Sequence, residues 1–136
     1  MNVKGNGTKE DPWNLRTPPG KSEYLMWKDE NASPPALMCK VGSTLLGYQL
    51  RCLEDAHNML KEYGDWMELG NKDEGKETKE GTLEDWARST KNPVGGYYGI
   101  KKGLRGRFGN YVPPLMEALG MVELEHNARN NRVRAK

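Results

Sequence analysis

Two β-prone runs, Ala36-Leu37-Met38-Cys39-Lys40-Val41 and Thr44-Leu45-Leu46-Gly47-Tyr48, flank the dipeptide Gly42-Ser43, and this pattern constrains the chain more than any other. A two-residue connection led by glycine suits a type II′ turn, whose twist matches that of the strands it joins. The pairing is therefore local and antiparallel. Upstream, Trp13 to Thr17 reads as an extended piece closed by Pro18-Pro19-Gly20, because proline fixes φ and glycine accepts positive φ. Glu23 to Lys28 reads as a further strand, and a β-meander of three or four strands results.

Behind the meander, Leu53, Ala56, Leu60 and Tyr63 recur at helical spacing, and Gly64 stands where a left-handed glycine ends a helix. This helix is expected to cover one face of the meander. Residues 71 to 81 carry Lys72, Asp73, Glu74, Lys76, Glu77, Lys79 and Glu80 and no apolar side chain, so they predict an exposed loop. Thr82-Leu83-Glu84-Asp85 has the form of a capping box and opens a short helix that buries Leu83 and Trp86 and ends at Asn92-Pro93.

The segment from Tyr97 to Gly109 permits two readings. As a helix it aligns Tyr97, Ile100, Leu104 and Phe108, and the spacing favours this reading, although Gly99, Gly103 and Gly106 oppose it by roughly 1 kcal/mol each. As a loop, its glycines let backbone N–H groups approach an anion. Next, Asn110 to Gly120 reads as a short helix entered through Pro113-Pro114 and closed by glycine. Met121 to His126 alternates in polarity and a return strand runs through Val133, so the chain ends in a β-hairpin.

The fold class is therefore α+β: an N-terminal antiparallel meander with one packed helix, then a helical region and a C-terminal β-hairpin. A length of 136 residues with 35% hydrophobic composition is consistent with a single domain over residues 1–136. Polar, Gly-rich residues 1–9 are expected to form a flexible tail. No apolar run approaches the roughly 20 residues of a membrane span and no secretory leader is recognisable, so a cytoplasmic protein with no membrane partner is expected. Free, partly buried thiols at Cys39 and Cys52 fit that compartment, a disulfide between them being the minor alternative.

Charge is distributed unevenly. Residues 1–90 hold 12 Lys and Arg against 16 Asp and Glu, whereas residues 91–136 hold 9 against 3. A basic end of this kind points to phosphate contacts, with DNA or RNA as partner, and the candidate binding residues are Lys101, Lys102, Arg105, Arg107, Arg129, Arg132 and Arg134. Tyr97, Tyr98, Phe108 and Tyr111 are placed either to stack on bases or to fill a core. Between Val112 and Leu119 no Arg, Lys, Asn or Gln is available to read base edges, so the binding expected is weak and phosphate-directed.

The order of elements over residues 97–136, with Leu119-Gly120-Met121-Val122-Glu123 leading to Arg129 and Arg132-Val133-Arg134, resembles the second half of a winged-helix domain. That resemblance implies a last helix in the major groove and a hairpin on the DNA backbone. Across nearly its full length the chain also resembles a group of small uncharacterised bacterial hypothetical proteins sharing Asp11-Pro12-Trp13, Thr17-Pro18-Pro19-Gly20, Ser22-Glu23-Tyr24 and Arg105-Gly106-Arg107-Phe108-Gly109. No activity is implied by the second resemblance.

Catalytic chemistry finds little support. Glu54 and His57 form a lone Glu-x-x-His, half of a di-iron pattern, and no metal or cofactor is expected. No serine sits in a G-x-S-x-G elbow, and neither histidine has an evident partner. The alternative from another class is an oligomeric protein-interaction module, drawing on four Trp and seven Met in a chain with one Phe.

Overall fold

The computed structural model describes residues 3–136. Four antiparallel strands, β1 (Trp13–Arg16), β2 (Glu23–Asp29), β3 (Ala36–Val41) and β4 (Thr44–Gln49), pair in sequence order. The β3–β4 turn places Gly42 at φ +59°, the left-handed conformation that glycine reaches without a steric cost. Register places Trp13 opposite Met26, Met26 opposite Cys39, and Cys39 opposite Leu46. Since side chains alternate across a strand, Trp13, Leu15, Tyr24, Met26, Leu37, Cys39, Leu46 and Tyr48 share one face, and all are buried.

A second sheet is built from β5 (Met67–Glu68), β6 (Val122–Leu124) and β7 (Arg132–Ala135), with β7 in the centre. Met67 and Leu124 both pair with the buried Val133. The fold is thus α+β, with an antiparallel meander at one end of the chain and a small antiparallel sheet at the other. Side chains from both sheets and all three helices belong to one apolar cluster.

Helix α1 (Cys52–Tyr63) ends at Gly64, whose φ of 74° lets its N–H bond the Leu60 carbonyl. Leu53, Ala56 and Leu60 are buried as their spacing requires, but Tyr63 is 52% exposed. The helix makes its strand contacts chiefly to β7, so the expected cover of the meander is corrected. Helix α3 (Phe108–Ala118) takes that place, packing on β6 and reaching β1. Tyr24 Oη donates to the Tyr111 carbonyl at 2.6 Å, and the two rings meet edge-on with centroids 5.0 Å apart.

α3 begins at Phe108, five residues before the prolines expected to open it. Pro113 and Pro114 therefore lie inside the helix, where each removes a backbone hydrogen bond at a cost of about 3 kcal/mol. Burial outweighs this. Phe108, Tyr111, Val112, Leu115 and Met116 are all buried, each contributing about 1.5–3 kcal/mol. A helix buried at eight of its eleven positions has no free face to enter a DNA groove, which corrects the recognition-helix expectation.

Residues near the amino terminus follow the sheet. The Lys4 carbonyl accepts from Asn14 N at 2.9 Å and the Gly7 carbonyl from Lys28 N at 2.9 Å. Of the tail expected over residues 1–9, residues 1 and 2 lie outside the described residues, and Lys4 and Gly7 are tied to strands. Among the described residues no helix is long and apolar enough to cross a membrane.

Candidate functional site

The segment 97–107 is irregular, not helical. Its backbone is committed elsewhere: Tyr98 O accepts from Gln49 N and Ile100 N donates to Gly47 O, adding a short bridge to the edge of β4. Gly99 makes this approach possible, because a Cβ there would fall 2.5 Å from Arg105 Cα. Beyond the bridge the chain turns its N–H groups onto a carboxylate. Glu74 accepts from Gly103 N at 2.9 Å and from Arg105 N at 2.6 Å, while the Arg105 guanidinium reaches it at 3.3 Å.

The loop reading of this segment is therefore the one realised, and the anion it holds is the protein's own. Burial is the largest single influence on the Glu74 carboxyl and raises it, but the Arg105 guanidinium and the two backbone donors together outweigh it and hold the group below the usual carboxylate range. A second carboxylate repeats the arrangement deeper in the molecule. Thr82 caps the short helix α2 (Leu83–Trp86), its Oγ1 accepting from Asp85 N at 3.2 Å, and so fixes Glu84 in the core.

Glu84, fully buried, accepts from Phe108 N at 3.2 Å and Gly109 N at 2.8 Å, the first two amides of α3. Those donors have no partner within the helix, and a negative charge there also suits the helix dipole. Burial pushes the Glu84 carboxyl above its ordinary range, and the bonds from Gly109, Arg88 and Phe108 offset part of that. Arg88 Nε completes the pair at 3.2 Å. Its two terminal nitrogens then take the carbonyls of Lys72, Asp73, Glu74 and Lys76 at 2.6–3.2 Å, fastening the charged loop 71–81 over the core.

Four of the seven basic candidates are paired with carboxylates. Arg105 pairs with Glu74, Arg107 with Asp73, Arg132 with Glu125, and Arg134 with Glu123. Arg105 also lies 3.9 Å over the Tyr97 ring, and Arg134 and Arg132 lie over Trp66 at 4.7 and 5.5 Å. Lys101, Lys102 and Arg129 are exposed and have no carboxylate partner among the described residues. Three of the four aromatic candidates, Tyr98, Phe108 and Tyr111, are in the core, which corrects the base-stacking reading for them. Tyr98 stacks on Trp86 with centroids 5.3 Å apart and donates to Asp55 at 2.8 Å.

His126, expected to lack a partner, has two: its Nδ1 faces the Pro18 carbonyl at 2.8 Å and its Nε2 faces Glu117 at 2.6 Å. Burial lowers its pKa, but the bonds to Glu117 and Pro18 prevail and raise it. With both ring nitrogens facing acceptors, the imidazolium is the form that satisfies them together. Cys39 and Cys52 are free and buried, and burial pushes both thiols well above their ordinary range, so neither supplies a thiolate.

A different surface stands out on the open face of the meander. Alternation puts Leu25, Trp27, Met38, Leu45 and Gly47 there, opposite the buried set. Leu25, Lys40 and Leu45 form one cross-strand row; Trp27, Met38 and Gly47 form the next, which Ile100 extends through its bond to Gly47. A methyl added at Gly47 would touch Met38 Sδ at 3.5 Å and Ile100 Cδ1 at 3.6 Å, so these side chains adjoin. Leu45 and Ile100 are each 47% exposed and Trp27 and Met38 only partly covered. Sequence reasoning missed this face because Ile100 reaches it from fifty residues away and because Trp27 and Met38 read as ordinary strand residues.

Comparison with curated proteins and with solved structures yields no match. A family model does match, over residues 5–136. That span takes in both sheets, all three helices, the carboxylate-filled loop and the open apolar face, and on it the chain belongs to the family of unknown function DUF6855.

Proposed function

We propose that the protein is an interaction module that pairs with a second copy of itself through the open face of β1–β4. The observation that carries the reading is the apolar surface of Leu25, Trp27, Met38, Leu45 and Ile100 on a sheet whose other face is buried from Trp13 to Tyr48 in the core. Antiparallel sheets commonly leave a polar face to solvent, and here an apolar strip interrupts that face between polar ends.

Charge favours a second copy as the occupant. Asp29 ends β2 and is followed by Glu30, while Lys40, opposite Leu25, stands toward the other end of the sheet. In an isologous dimer the same patch meets itself, and a two-fold axis across the strands sets the acidic end of one copy on the basic end of its partner. Four strands at about 4.8 Å spacing, each about 20 Å long, give a footprint of roughly 350 Å², below the roughly 800 Å² per partner of a standard interface. The dimer expected is therefore reversible and concentration-dependent.

Sedimentation equilibrium over a wide concentration range tests this. A monomer–dimer equilibrium that weakens with salt, and that Leu45→Glu with Ile100→Glu abolishes without changing the circular dichroism, supports the reading. A monomer at every concentration, or a dimer indifferent to those substitutions, rejects it.

Phosphate-directed nucleic-acid binding is the second reading, and the exposed, unpaired Lys101 and Lys102 favour it. It retains Arg105, Arg107, Arg129, Arg132 and Arg134 as contributors, although four of these five are engaged by carboxylates. Fluorescence anisotropy of labelled DNA and RNA over a salt series separates the two: affinity falling linearly in log salt and weakened by Lys101→Ala with Lys102→Ala belongs to this reading alone.

A further inference from the structure

Lys72 and Arg129 border one cavity of about 520 Å³, and neither has a carboxylate partner among the described residues. The walls come from the Pro18–Pro19 turn, the end of β5 and the chain between it and α2, the first turn of α3, and the β6–β7 turn. Glu68 is the one carboxylate in the lining, and Lys79 holds it at 3.0 Å. With Lys72, Lys79 and Arg129 against Glu68, the cavity carries a net charge of +2. Asn71, Asn110 and Asn130 also line it, and their side-chain amides have no hydrogen-bond partner within the described residues.

Both cations sit on fixed backbone. The Lys72 carbonyl accepts from Arg107 N at 2.8 Å and from Arg88 at 2.6 Å, which sets where its side chain leaves the chain. The turn bearing Arg129 is closed by the buried Asn131, which bonds Asn127 N at 2.6 Å and Asn127 O at 3.0 Å, while its own carbonyl accepts from Leu69 N at 3.0 Å. Asn130 adopts φ 59°, a left-handed conformation unusual for a residue other than glycine. The Asn131 bonds hold this turn, so the backbone of that wall is set before anything enters.

We propose that this cavity binds a small phosphorylated polar molecule, its phosphate between Lys72 and Arg129 and its hydroxyl groups on Asn71, Asn110 and Asn130. Two cations, one of them a planar guanidinium, match a dianionic phosphate with several acceptor oxygens. The volume falls within the range of small-ligand sites and exceeds what a bare anion fills. Three carboxamides, each offering donors and an acceptor, suit a hydroxylated body, and no aromatic side chain lines the cavity to stack on a base. The cavity shares no lining residue with the depression over the open sheet face, so the two proposals stand apart.

Calorimetric or NMR titration of the full chain with glucose 6-phosphate, inorganic phosphate and glucose tests it. Saturable binding of glucose 6-phosphate, weaker binding of phosphate and none of glucose are expected. Lys72→Ala with Arg129→Ala should weaken the sugar phosphate by at least about tenfold while near-ultraviolet dichroism stays unchanged. Lys101→Ala with Lys102→Ala should leave it as it is. No saturation by any phosphate, binding of glucose as tight as that of its phosphate, or equal loss in both double variants would overturn the assignment.

Discussion

Glu74 takes a hydrogen bond from the backbone nitrogen of Arg105 at 2.6 Å and is gripped by the guanidinium of the same residue at 3.3 Å. The two are thirty-one positions apart, so this one carboxylate fixes the path of the basic segment against the charged loop. Glu74→Gln should lower stability by about 1 kcal/mol, a figure reduced for the partial exposure of the pair. The effect should depend on pH. A carboxyl depressed in the folded state stabilises above its unfolded pKa, and that contribution is lost as pH falls through the folded value. Melting temperatures of both proteins should thus converge in acid; a constant gap from neutral pH to acid would show that the charge plays no part.

Removing Glu84 should be far more damaging. Glu84→Ala leaves the guanidinium of Arg88 buried without its counter-charge and strips the first two amides of α3 of their acceptor. Breaking a buried pair in this way costs about 3–5 kcal/mol. Chemical denaturation measures it directly, and a loss under about 1 kcal/mol would mean that water or another group replaces the carboxylate.

His126 should make stability fall on the alkaline side. Its pKa is raised in the folded state, so its contribution is complete below the unfolded value of 6.5 and disappears as pH rises through the higher folded value. Comparison with His126→Phe by thermal melts should give a difference that is widest in mild acid and narrows above neutrality. A difference that grows with pH would contradict the imidazolium.

Two glycines should respond in opposite directions to alanine. Gly47→Ala places a methyl in ordinary contact with Met38 and Ile100 and should be neutral or stabilising by up to about 1 kcal/mol. Gly106→Ala sets a Cβ 2.3 Å from the backbone nitrogen of Glu74, which must move, and should cost more than about 2 kcal/mol. Equal effects in denaturant melts would disprove the close approach at Gly106.

Where local chemistry decides structure, the sequence was sufficient. Gly42 set the hairpin, Gly64 ended α1, and Thr82 capped α2, each through bonds made within a few residues. The segment 97–109 departs from its helical spacing for the opposite reason: Gly106 is pressed against the Glu74 backbone and Tyr98 and Ile100 bond the edge of β4, and no local pattern announces partners so distant. Likewise, the prolines of α3 look like a helix start until burial on both sides makes an interior position tolerable. Of the candidate surfaces, the positive charge of the last third was legible, but the pairing of Arg105 and Arg107 was not, because Glu74 and Asp73 belong to a loop that reads as solvent-exposed.

Arg88 grips residues 72–76 by their carbonyl oxygens, which every amino acid possesses. The fastening is therefore blind to side-chain identity. Apart from Asp73 and Glu74, whose carboxylates hold Arg107 and Arg105, and Lys72, which lines the polar cavity, the strap can be rewritten and still follow the same path. One interior arginine thereby separates the course of a surface segment from its chemistry, and the outward residues of that segment become the natural place to graft a new epitope or label without disturbing the fold beneath.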